Sequence, residues 1–161
     1  MYILRLLLSL EAITTRNDSK YTSNYTYMSV YLLNATSLAK PNAVQLLETE
    51  LSVAQCDCAL ITEIWFTKNH IDRVVDVPHY SLYRRDRQAG KGGSVCIYVS
   101  HRVNCSISHP CPDVPDRSPL LELLWIECSA YGHHYFVYCC YHPPRPKYVV
   151  NAFVNHLAND I

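Results

Sequence analysis

The segment Cys58-Ala-Leu-Ile-Thr62 constrains the fold more than any other, because it is apolar at successive positions rather than at alternate ones. A strand wetted on one face alternates. A strand covered on both faces does not, and such strands belong to layered α/β proteins. Just before it, over residues 42–54, Val44, Leu47, Leu51 and Ala54 recur at three- and four-residue steps, with Glu48 and Glu50 off the stripe. That spacing predicts a helix laying one face on a sheet. Earlier still, residues 29–34 (Ser-Val-Tyr-Leu-Leu-Asn) are β-prone, and Pro41 sits where a first helical turn can begin. The chain therefore opens β-α-β and delivers Glu63 just past the end of its second strand.

The middle of the sequence is rich in strand patterns. Residues 80–85, 94–100, 121–128 and 134–141 read as strands. Gly90-Lys91-Gly92-Gly93 makes a tight connection between the first two. Residues 101–119 hold Pro110, Pro112, Pro115 and Pro119, which no sheet interior tolerates, so they read as a loop. Pro143, Pro144 and Pro146 end the last strand, and residues 148–158, with Val149, Phe153, Val154 and Leu157, carry a helical apolar stripe. The expected class is an α/β sandwich of mixed sheets flanked by helices. Closing on a helix with no returning strand makes that architecture read as incomplete.

Residues 1–27 are expected to be a mobile or spurious extension, followed by one domain over 28–161. The apolar start, Met1 to Leu10, is far shorter than the roughly 20 residues that cross a bilayer, carries Arg5 inside it, and lacks a clear cleavage pattern. No membrane partner is expected. With 49% hydrophobic and 17% charged residues the chain can bury a core. Its 14 basic residues balance 14 acidic ones, so any attraction to a phosphate backbone must come from a local patch. Of the eight cysteines, Cys96, Cys128, Cys139 and Cys140 fall inside apolar runs, where a reduced cysteine serves as a small hydrophobe. Mostly reduced thiols and an intracellular setting are expected. The spacings Cys56-x-Cys58 and Cys139-Cys140 do not suit a zinc site. The competing reading is a secreted, disulfide-linked glycoprotein domain, drawn from the even cysteine count and the sequons at Asn17, Asn24, Asn34 and Asn104.

Five segments in order resemble the endonuclease/exonuclease/phosphatase superfamily, in its non-LTR (LINE-type) retrotransposon endonuclease branch. They are Leu33-Asn34-Ala35-Thr36-Ser37-Leu38; Ile61-Thr62-Glu63-Ile64-Trp65; Tyr83-Arg84-Arg85-Asp86-Arg87 with Gly92-Gly93-Ser94 and the strand after it; Glu122-Leu123-Leu124-Trp125; and Tyr141-His142-Pro143-Pro144. The resemblance runs from about Met28 to Ile161. It implies the N-terminal part of a four-layer α/β sandwich, a DNA substrate, strand nicking with Mg²⁺ (or Mn²⁺) and no small-molecule cofactor. For the active parent it implies a nuclear site of action and an accompanying reverse transcriptase domain. DNA repair or phosphoesterase activity on small molecules or lipids stays open, since the metal chemistry is shared.

The residue types suit that chemistry. Phosphodiester hydrolysis needs a hard cation held by oxygen ligands. The resemblance implies that Glu63 is a metal ligand, that Asn34 helps hold metal and phosphate, and that the Tyr141 hydroxyl contacts the scissile phosphate. Each has a plainer reading: Glu63 an exposed loop carboxylate, Asn34 a turn-forming or glycosylated asparagine, Tyr141 one of 13 tyrosines packing in a strand. Arg84, Arg85, Arg87 and Lys91 are the concentrated basic segment, suited equally to DNA phosphates and to a solvated hairpin end. Lys91-Gly92-Gly93-Ser94 lacks the glycine spacing of a nucleotide-binding P-loop. His142 stands where the branch usually has arginine, which exchanges a permanent cation for one that titrates near neutrality. The family completes its catalytic set with a Gly-Asp-x-Asn segment, a later aspartate and a C-terminal histidine, none of which occurs before Ile161. The resemblance therefore implies poor or no hydrolysis by this chain alone, and a non-catalytic remnant or binding module is the alternative.

Overall fold

The computed structural model describes residues 3–4, 27–87, 92–106 and 122–143. Its elements are strand β1 (Ile3–Leu4), β2 (Val30–Asn34), helix α1 (Ala43–Ala54), β3 (Cys58–Thr62), the short helix α2 (Asp72–Val75), β4 (Tyr80–Arg85), β5 (Val95–Ser100), β6 (Asn104–Ser106), β7 (Glu122–Ala130) and β8 (His133–Tyr141). The six longer strands and the helix expected within these residues form within a residue or two of the expected limits. Pro41 lies ahead of the helix, which begins after a left-handed Asn42 and ends on Gln55, whose N–H donates to the Leu51 carbonyl at 2.8 Å. The 148–158 helix, Lys91 and most of the proline-rich loop lie outside the described residues.

Two sheets result. The first runs β1-β2-β3-β5-β4, with β2 and β3 parallel and its other pairs antiparallel. The second runs β6-β7-β8, antiparallel throughout its described strands. The parallel β2–β3 pair follows from α1, since a crossover helix returns the chain in the same direction. Three elements were not anticipated: β1, α2 and β6 are only two, four and three residues long, too short to carry a period.

Strand alternation sorts the apolar side chains into two cores. Tyr31, Leu33, Ala59, Ile61, Cys96 and Tyr98 point to one face of the first sheet, where Val44, Leu47 and Leu51 of α1 cover them. Cys58, Val95, Ile97 and Val99 point to the other face, against Ile126, Cys128, Ala130, Tyr135, Val137 and Cys139 of the second sheet. The described layers are thus helix, sheet, sheet. All six residues of β5 are buried, as expected for a strand covered on both faces. Asp57, 2% exposed, ties the far end of the layers together. It accepts from the Ser29 N–H and hydroxyl, the Arg102 guanidinium and the Tyr131 hydroxyl. No helix among the described residues is long and apolar enough to cross a membrane.

Candidate active site

Register brings one end of both sheets to a common rim. Asn34 at the end of β2 pairs with Thr62 at the end of β3, and Thr62 pairs with Val95 at the start of β5. In the second sheet Glu122, opening β7, pairs with Tyr141, closing β8. The chain leaving β3 continues along this rim: Ala35, Ser37 and Leu38 N–H groups donate to the carbonyls of Thr62, Glu63 and Ile64. Glu63 and Trp65 both adopt left-handed backbone, φ 59° and 60°. Such conformations are costly for non-glycine residues and collect at functional sites.

Glu63 is the hub. Its Oε2 accepts the Gly93 N–H at 3.0 Å and the Trp65 indole N–H at 2.5 Å, and the Tyr141 hydroxyl donates to the same carboxylate from the other sheet. Burial pushes the Glu63 carboxyl up, but the bonds from Tyr141, Gly93 and Trp65, with the charge of Arg87, outweigh it and leave it below its ordinary value. It is a carboxylate at neutral pH. Tyr141 is pushed the other way, up to about 12, by burial and then by its bond to Glu63, so it stays a protonated donor.

A second carboxylate lies beside this one. Glu122 is 8% exposed, forms an ion pair with Arg87 and accepts the Ser94 N–H. Arg87 is fixed further by its own N–H donating to the Ser94 hydroxyl at 2.9 Å. Gly93 threads between the two carboxylates with φ 73°, and a Cβ there would overlap the Arg87 guanidinium and Glu122 Oε2. Sequence reasoning quoted Glu122 and Trp65 within motifs but gave them no role. The available signal was a glutamate starting an otherwise apolar strand, because a buried carboxylate must find a cation or N–H donors.

The basic segment divides by strand alternation. Arg84 faces the helical layer: its guanidinium donates to the His70 carbonyl at 2.6 Å, pairs with Asp72 and Asp86, and lies 5.8 Å from the Phe66 ring centroid. Arg85 faces the second sheet and donates to the Leu123 carbonyl at 3.2 Å. Arg87 joins the Glu63 and Glu122 cluster, and His142, exposed, follows Tyr141. Asn34 is exposed, and its Oδ1 accepts the Thr36 N–H at 3.2 Å, a local turn bond. A neighbouring recess of about 320 Å³ reaches Asn34 and Thr62 but is walled mainly by Leu32, Leu33, Leu60 and Cys139. Its apolar wall suits packing more than phosphate.

As to metals, no group of three or more His, Cys, Asp or Glu side chains among the described residues is arranged to hold an ion. What the rim offers a cation is the Glu63 carboxylate, one strand from an amide oxygen donor, Asn34, since Glu122 is taken up by Arg87 and the Ser94 N–H. That donor set fits Mg²⁺, which binds through one or two carboxylates and keeps several waters. It does not fit a dry cage of protein ligands.

Solved structures share this fold. The endonuclease domain of TRAS1, a telomere-specific non-LTR retrotransposon, aligns with a TM-score of 0.56 at 14% identity, over 81% of this chain and 52% of that one. A humanized D. rerio TDP2 carrying 14 mutations aligns with a TM-score of 0.50 at 16% identity, over 73% of this chain and 51% of that one. The chain thus spans about half the length of each. No family model matches the sequence. No curated protein matches it either. The likeness establishes the fold alone: the two sheets and α1 are arranged as in part of those α/β sandwiches.

Proposed function

From that partial sandwich as premise, we propose that the chain is the Glu63-bearing half of a Mg²⁺- or Mn²⁺-dependent endonuclease domain that nicks DNA, of the retrotransposon type. The observation that carries this reading is the Glu63 carboxylate, held ionised at the shared rim by Tyr141 from one sheet and by Gly93 and Trp65 from the other. An acid kept ionised by aimed donors at the end of a strand is the kind of group a hard cation needs.

In this reading Glu63 and Asn34 hold the cation. When bound, the cation polarises a phosphoryl oxygen and offsets charge on the leaving oxygen. The Tyr141 hydroxyl, whose one proton is given to Glu63 in this structure, would turn it to a phosphate oxygen once cation and substrate occupy the site, and its raised pKa keeps the group protonated for that role. Arg87, anchored by Glu122, keeps positive charge beside the phosphate. Glu122 acts through Arg87 and Ser94, which makes it a positioning residue. Arg85 and His142 lie at the same rim, where they suit contacts to flanking phosphates. Because the chain spans about half of the aligned structures, the complete reaction is assigned to a domain that contains this half.

The test is nicking of supercoiled plasmid with Mg²⁺, by this chain and by any longer product of its reading frame. Glu63→Ala should abolish Mg²⁺-dependent nicking, and undiminished nicking by that variant would remove Glu63 from the site. Where cleavage is below detection, Mg²⁺-dependent retention of a DNA duplex reads the same site through the same variant.

A further inference from the structure

Away from the rim, three thiols from both sheets meet in the core between them. Cys105 on β6 and Cys128 on β7 are register partners in an antiparallel pair. Opposed residues of such a pair have Cα atoms about 4.5 or 5.5 Å apart, and both values fall inside the span that a disulfide bridges. Cys58, from β3 of the first sheet, enters the same cluster and packs with Cys128. Its backbone belongs to a facing sheet, at a typical separation of about 10 Å, which is too far for a disulfide without backbone movement. Register therefore singles out one pair from the three thiols. The seven described cysteines are all thiols in this structure, so the pair is in its reduced form.

We propose that Cys105 and Cys128 are an oxidative modification site, converted by a small hydroperoxide into a cross-strand disulfide. Cys128 is buried, 1% exposed, and reacts first once local opening of its partner strand β6 lets the oxidant in. Its thiol is pulled below the ordinary value by the hydrogen bond from Cys58, with a second from Cys105, against the opposing effect of burial. Cys105 is pushed up to about 11, by burial first, and stays a thiol. The Cys128 thiolate attacks the peroxide O–O bond; the sulfur is oxidised to a sulfenic acid, and the leaving hydroxide takes a proton to become water. The Cys105 sulfur then displaces the sulfenic hydroxyl, which leaves as a second water with the Cys105 proton. In sum, two thiols and one hydrogen peroxide give one disulfide and two waters. Access comes through β6, a three-residue strand at the edge of the sheet among the described residues, with Cys105 itself half-buried. Short edge strands open most readily, and the oxidant needs to be no larger than a few atoms.

The experiment treats the reduced full chain with stoichiometric hydrogen peroxide, alkylates the remaining thiols and maps linked peptides by mass spectrometry. The expected result is loss of two of the eight thiols, one peptide joining Cys105 to Cys128, and full reversal by dithiothreitol. Cys58→Ala should slow the reaction without changing the pair, and Cys128→Ser should abolish it. In urea the preference for this pair over other cysteines should vanish, a control that needs no variant to fold. Disulfides joining other cysteines, loss of two thiols from Cys128→Ser as fast as from the unaltered chain, or eight thiols surviving a peroxide dose that oxidises a simple dithiol would each overturn the proposal.

Discussion

Gly93→Ala should be among the most disruptive single-methyl substitutions in this chain. Gly93 has φ 73°, and its added Cβ would overlap the Arg87 guanidinium and Glu122 Oε2. Gly132, in the turn between β7 and β8, has φ 80° with nothing within 4 Å of a built Cβ. The backbone penalty of the left-handed region, about 1–2 kcal/mol, is common to both positions. The overlap is with two side-chain ends that can move, so the further cost, roughly 1–3 kcal/mol and only at Gly93, is that of pushing Arg87 and Glu122 out of their ion pair. Gly93→Ala should therefore lose about 2–5 kcal/mol in total, against about 1–2 kcal/mol for Gly132→Ala. At roughly 2–4 °C per kcal/mol for a chain of this size, the difference is about 2–12 °C in Tm. Thermal and urea unfolding followed by circular dichroism read both variants directly. Equal destabilisation of the two would refute the claim that Gly93 is required by the ion pair it threads past.

The other predictions concern the ion pairs and the tyrosines. Glu122→Ala leaves Arg87 and the Ser94 N–H without their carboxylate and should cost about 2–4 kcal/mol in urea unfolding; a change within half a kcal/mol would contradict the role given to Glu122. Arg84→Ala should cost about 1–2 kcal/mol through the Phe66 contact and the His70 bond while leaving DNA retention unchanged. Arg87→Ala should weaken retention and lessen its salt dependence, and the opposite pattern in a filter-binding assay would reverse the assignment. Burial raises Tyr31, Tyr80, Tyr83 and Tyr98, Tyr83 to about 12. The unfolded chain therefore loses these protons first, so stability is complete below pH 10 and falls as pH rises from there toward the folded values. Ultraviolet titration should find these tyrosines ionising late or together with unfolding, and normal ionisation without unfolding would contradict their burial.

Much of the fold was legible because its longer elements carry a clear period. The apolar stripe of α1 and the unbroken apolar run of β3 each allow one structure, and β5 is apolar on both faces because it lies between two cores. The insertion of β5 between β3 and β4 was not legible, since strand order depends on contacts that no local pattern encodes. β6 was missed because Asn-Cys-Ser has neither length nor alternation. At the site, the strand ends of Glu63 and Tyr141 were readable, but it was the family resemblance, not the local pattern, that implied a common site for them. The division between Arg84 and its neighbours was within reach, since residues two apart share a face of a strand and adjacent ones do not. The left-handed backbone at Glu63 and the burial of Glu122 against Arg87 were beyond it. Both arise from the rim where two sheets and a glycine turn meet.

Whether Glu63 holds a hard divalent cation can be read by titrating the folded chain with Mn²⁺ and following paramagnetic broadening by nuclear magnetic resonance. Selective broadening of the Gly93 amide and the Trp65 indole N–H, which both donate to Glu63, is expected, with competition by Mg²⁺. Glu63→Gln should abolish the effect. Broadening centred elsewhere, or unchanged in Glu63→Gln, would contradict cation binding by Glu63.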